Sequence, residues 1–156
     1  MNMTVAELEA AARQRLEAAR VPTADVAAVA WACAWLDACG YAGLKLLIEA
    51  LGDDRRELEL VRDGLGIDLK GMSCAWLATR LMGEVERHGR VFLRNVRHGL
   101  YLLPFAVRAN IGIGCPVDPA FALGGERTGN PYAEKLARAQ CHGVEVDEES
   151  WRLLQG

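Results

Sequence analysis

An α+β fold is what this sequence predicts, and three observations carry the prediction. Apolar residues recur at helical spacing through roughly the first ninety residues, with capping residues and glycines marking the starts and stops. Beyond Gly89 the character changes to runs dense in Val, Phe, Tyr and Leu, residues that suit a half-buried pleated surface. Across 156 residues there is no internal repeat, linker or low-complexity stretch, so a single domain over 1–156 is expected. The expected architecture is an N-terminal helical layer of three to four helices, then a small, mainly antiparallel sheet and two short helices in the C-terminal half.

The elements follow in order. Thr4 with Glu7 forms a capping box, and Val5, Leu8, Ala12, Leu16 and Ala19 then make one apolar stripe to about Arg20. Val21-Pro22 breaks that helix, because Pro lacks an N–H and disfavours helix in the residue before it. Thr23 is expected to cap a second helix reaching Cys39, ended by Gly40. This helix is apolar on nearly every face (Val26, Val29, Trp31, Cys33, Trp35, Leu36), so it should be central. A third, shorter helix is expected from about Tyr41 to Leu51. "GDDRRELELVRDG" is compatible with an exposed strand or a helical turn. Ser73 then caps a helix whose Cys74, Leu77, Leu81, Val85 and His88 share one face, ended by Gly89.

"RVFLRNV" and "GLYLLPFAV", separated by "RHG", read as two strands of a hairpin, with Pro104 weakening the second or placing it at a sheet edge. "GIGCPVDPAFALGGERTGNP" is the most loop-like stretch. Asn130-Pro131 should start a helix ending at His142-Gly143. A short strand "VEV" follows, and Asp147 caps a last helix with Glu148 and Glu149 in its first turn, where the macrodipole favours acids. So short a helix persists only if docked, through Trp151 and Leu154.

Composition narrows the function. The net charge is −3 with no Lys/Arg block, which argues against nucleic acid as a partner. The longest uncharged apolar run, Val26 to Leu36, has 11 residues, against the roughly 20 that a membrane span needs. "MNMTVAELEA" has two acids and no basic start, unlike a signal peptide. A soluble, cytoplasmic protein is expected. Five cysteines (Cys33, Cys39, Cys74, Cys115, Cys141) without CxxC spacing read as buried thiols rather than disulfides.

The stretch "VAELEAAARQRLEAARVPTADVAAVAWACAWLDACGYAGLKLL" resembles the N-terminal helices of the malate/L-lactate (sulfolactate) dehydrogenase family. The matching features are the "EL" of the first helix, "VP..DV..VA" at the second, and Asp37 three residues before Gly40. The rest of the chain, at "VRHGLYLLPFAVRA" and "GVEVDEESWRLL", resembles an uncharacterised bacterial family of domains of unknown function whose members continue further, so a short or truncated version is expected. In the dehydrogenases the turn after that Gly carries Ser-His-Gly, whose His is the catalytic acid/base. Here the turn is Tyr41-Ala42-Gly43, two residues shorter, with Ala42 where the His would stand. Alanine cannot transfer a proton. Length for the NAD(P) site is also missing, and no GxGxxG is present. The resemblance therefore implies a shared helical scaffold without the chemistry, and a turn that only bends the chain.

Three histidines (His88, His98, His142) occur without HxxxH or HExxH spacing, so no metal and no cofactor are expected. His88 and His142 each precede a Gly at a helix C-terminus, where a partly charged imidazole complements the dipole. Cys115 in "GIGCPVDP" is the candidate nucleophile, with Asp118 and His98 as further catalytic candidates; the competing reading is a thiol packed under Pro116. Glu126 and Arg127 flank the same loop. Gly112, Gly114, Cys115, Arg127 and Asn130 are the candidate ligand-binding residues, on a Gly-rich loop before a helix N-terminus. No GK[ST] is present, which excludes a P-loop. Trp31, Trp35 and Trp76 lie on apolar helical patterns, as core or as the interface of a homodimer. The expectation is a non-catalytic small-molecule-binding or assembly domain. The alternatives are a small enzyme acting on a carboxylate-containing metabolite through the 110–130 loop, and an accessory subunit completing a protein partner's site.

Overall fold

The computed structural model describes residues 1–53, 55, 58–114 and 120–156, without the side chains of 120 and 121. The fold is α+β, with N-terminal helices and a small sheet. The chain divides into two compact units, one formed by residues 1–52 with 130–156 and the other by 53–129.

The first unit is helical. Helix α1 (Val5–Ala18) begins in the expected capping box: Glu7 N–H donates to Thr4 Oγ1 at 3.0 Å and Thr4 N–H to Glu7 Oε2 at 2.9 Å. Its stripe buries Leu8, Ala12 and Leu16. Helix α2 (Thr23–Ala38) starts one residue earlier than expected. Pro22 occupies the cap position and no side chain caps it, so Thr23 is its first helical residue. Helix α2 is the centre of the unit, packing against α1, α3 (Gly43–Gly52) and α6 (Ala133–His142). Those three neighbours are why its sequence is apolar all round. Asn130 does not cap α6: its Oδ1 accepts from Tyr132 N–H at 3.0 Å, and the helix opens at Ala133 after that turn. Strand β7 (Val144–Glu145) pairs antiparallel with a strand not anticipated from sequence, β1 (Asn2–Met3). Helix α7 (Glu148–Gln155) is capped by Asp147, whose Oδ2 accepts from Ser150 N–H at 2.9 Å. Leu154 and Ser150 dock it, while Trp151 is half-buried.

The second unit holds a five-stranded sheet in the order β2-β3-β4-β6-β5. The undecided "GDDRRELELVRDG" contributes β2 (Arg62–Asp63), which pairs with β3 (Gly66–Asp68). A crossover through α4 (Cys74–His88) then leads to β4 (Arg90–Arg94), parallel to β3. Val91 and Leu93 of β4 and Ile67 of β3 are buried, whereas Phe92 points outward.

The expected hairpin partner of β4 is the main correction. "GLYLLPFAV" forms a 3₁₀ turn (Gly99–Tyr101) running into α5 (Leu102–Arg108), not a strand. Pro104 lies in the first turn of α5, where a missing N–H costs nothing, and Tyr101, Leu102, Leu103, Phe105 and Ala106 are all buried. A run buried on consecutive residues is compatible with helix or strand, and periodicity cannot separate them. The partner of β4 comes instead from the stretch expected to be loop: β6 (Ala120–Glu126) pairs antiparallel with β4 and with β5 (Ile111–Ile113).

Candidate functional site

Helix α4 is amphipathic, and that positions a cleft. Ser73 caps it, Oγ accepting from Ala75 N–H at 3.2 Å. Leu77 and Leu81 face the core, and Val85, also buried, lies where the core meets the cleft. The face carrying Thr79, Met82, Gly83 and Glu86 instead walls a cavity of about 720 Å³, closed on its other sides by Phe105, Arg108 and Ala109 of α5 and its end, Ile111 of β5 and Gly125 of β6. That volume is within the range of small-molecule pockets. Gly83 sits inside the helix, yet a Cβ there would meet nothing within 4 Å. Packing therefore does not require this glycine, which costs about 1 kcal/mol against Ala in a helix interior. Arg108 stacks over the Phe105 ring at 5.3 Å, which fixes one cation at the wall. Glu86 supplies the opposite charge from α4.

The residues singled out from sequence fall as follows. Cys115 and Asp118 lie outside the described residues. Gly112 is accounted for by the sheet: a Cβ there would approach Glu126 O to 2.7 Å. Gly114 is exposed and donates its N–H to Ala122 O at 2.9 Å. Arg127 Nε donates to Ile111 O at 2.7 Å, so it meets the β5 backbone beside Gly112 at the rim of the cleft. Asn130 belongs to the first unit, in the turn before α6. His98, in a left-handed conformation, has its Nδ1 2.7 Å from the Ser73 hydroxyl. Glu126 is exposed on β6.

Cys33, Cys39 and Cys74 are buried and Cys141 is exposed. Burial pushes the Cys39 thiol up to about 11 and that of Cys74 up to about 12, so neither is a thiolate near neutral pH. Among the described residues no three His, Cys, Asp or Glu side chains gather as a metal site would need, and His88 Nε2 faces Glu84 at 3.4 Å. No described helix is long and apolar enough to cross a membrane.

The turn after α2 holds a feature that the sequence reading missed. Gly40 takes φ +86°, and Gly43 opens α3 so close to α2 that a Cβ would lie 2.5 Å from Cys33 O and 2.8 Å from Leu36 Cβ. Across this tight contact Leu44 N–H donates to Asp37 Oδ2 at 2.8 Å, so Asp37 of α2 caps α3. Burial raises the Asp37 carboxyl to about 7, against the lowering effect of the Leu44 bond. Asp37 also lines a cavity of about 320 Å³ with Ala42, Lys45, Asp147 and Ser150. The spacing Asp37–Gly40 was visible in the sequence; the burial that perturbs Asp37 was not. No known protein family, no curated protein and no solved structure matches this chain.

Proposed function

We propose that this chain is a non-catalytic small-molecule-binding domain, built on a dehydrogenase-like helical scaffold, whose ligand sits in the α4–α5 cleft of the second unit. The observation that supports this reading is the cavity of about 720 Å³ beside α4, walled by residues of α4, α5, β5 and β6. Met82 and Phe105 offer an adaptable apolar wall, and Arg108 and Glu86 offer charges to orient a polar end. The absence of an imidazole at Ala42 leaves the family's acid/base without a counterpart. The reading treats the protein as cytoplasmic. A homodimer stays part of the reading, with the stripe Ala24, Ala27 and Trp31 of α2, which is not buried, as its interface.

The test uses anilinonaphthalene sulfonate, an apolar anionic fluorophore, against the native protein. Saturable fluorescence is expected, and Gly83→Leu should abolish it while leaving the circular dichroism unchanged. Binding indifferent to Gly83→Leu would sink the cleft. Saturable quenching of the tryptophans by NADH would sink the cofactor-free part of the reading.

A further inference from the structure

Three guanidinium groups stand where α5 ends beside β5 and β6, along one side of the α4–α5 cleft. Arg108 lines the cleft and stacks over the Phe105 ring at 5.3 Å, which holds its charge at the wall. Arg127 commits its Nε to Ile111 O at 2.7 Å, and among the described contacts its two Nη groups remain to bond a ligand. Ile111 is itself a lining residue. Arg90 lies over Gly125, another lining residue: its Nη2 is 2.5 Å from where a Gly125 Cβ would stand. A wall so charged attracts an anion. The resident carboxylates do not take up these groups. Glu86 on the α4 wall and Glu126, exposed on β6, form no ion pair with any of the three arginines. Three guanidinium groups against two carboxylates leave one positive charge, which a single negative charge complements.

The remaining walls are mainly apolar, with Met82 of α4, Phe105 of α5 and Ile111 of β5 among them. They suit a ligand with an apolar body, which gains by leaving water. A guanidinium fork meets a carboxylate through two parallel N–H···O bonds, whereas an ammonium head is repelled by it. Glu86 opposes a negative head on the α4 side, so the two ends of the cleft differ in the charge they accept. We propose, on the reading that this cleft is the ligand site, that its ligand is a monocarboxylate with an apolar body. Arg108 and Arg127 hold the carboxylate, Arg90 adds its charge from beside Gly125, and the body lies against Met82 and Phe105.

Calorimetry on the native protein at pH 7 compares octanoate, 1-octanol and octylammonium, which share one chain length and differ in the charge of the head. Saturable octanoate binding is expected, about tenfold or more tighter than that of octanol, with octylammonium unbound. Arg108→Gln should weaken octanoate about tenfold and leave octanol unchanged, a split that a merely structural role would not produce. Glu86→Gln removes the opposing charge and should strengthen octanoate. Added salt should weaken octanoate and spare octanol. Octanoate and octanol bound alike, or octylammonium preferred, overturns the proposal. If that binding is still lost in Gly83→Leu, the cleft remains a ligand site and only the carboxylate falls. If neither the octyl compounds nor the fluorophore binds, both fall. Should Arg108→Gln fail to fold, the three-ligand series on the native protein decides alone.

Discussion

Helices α2 and α4 anchor the two units on opposite plans. Helix α2 buries Val26, Val29, Ala30, Ala32, Cys33, Ala34, Trp35 and Leu36, and its neighbours cover it on several sides. Helix α4 is buried on every face over residues 74–78, but its second half buries only Leu81 and Val85 and leaves Met82, Gly83 and Glu86 facing a cleft. A helix covered on several sides has most of its surface committed to packing; one whose second half is buried on a single stripe leaves the opposite face open. The same contrast separates two helical glycines. A Cβ at Gly43 would clash with α2, whereas a Cβ at Gly83 would meet nothing within 4 Å.

The sharpest way to break the comparison is to truncate both helices. Leu36→Ala, at a fully buried position, should cost about 2–5 kcal/mol in denaturant unfolding, whereas Met82→Ala on the cleft wall should cost much less. Equal costs would mean that α4 is as tightly packed as α2. Next in size is the pH dependence of Asp37. Its carboxyl lies near 7 in the fold against 3.8 in the unfolded chain, so the fold binds more protons between those values. Its contribution is fully present below the unfolded value and is lost as pH rises through 7. Asp37→Asn should remove that slope and be the more stable protein at pH 8. A native stability that does not fall between pH 5 and 8 relative to Asp37→Asn would show the carboxyl is not perturbed.

Smaller effects divide the glycines. Gly43→Ala should destabilise by about 1–3 kcal/mol, since its Cβ meets backbone that cannot yield freely. Gly83→Ala should stabilise by about 1 kcal/mol and raise the melting temperature while weakening fluorophore binding. A Gly83→Ala variant that loses stability would place a packing demand on α4 that its open surroundings do not show.

Much of this was readable before any fold was known, and the boundary has a physical meaning. The capping box at Thr4 and Glu7, the Ser73 and Asp147 caps and the stops at Gly40, Gly89 and Gly143 all came through. Each depends on a handful of adjacent residues. The misassigned "GLYLLPFAV" is buried almost throughout, which erases the periodicity that separates helix from strand. "AFALGGE" looked like loop because its glycines suit turns; Gly124 instead pairs with Arg90 of β4, its Cβ position 2.2 Å from Gly89 O.

The sequence by itself determined the α+β class, most helix limits and the lack of an imidazole in the turn after α2. Only the tertiary structure decided where cavities lie. It placed a cleft beside Gly83, buried Asp37 against α3, and joined Arg127 to the β5 backbone. Caps and breaks are local hydrogen-bond and dihedral events, written in neighbouring residues. Cavities and perturbed charges depend on which distant side chains fail to fill a space or to meet a charge, and no short stretch of sequence encodes that.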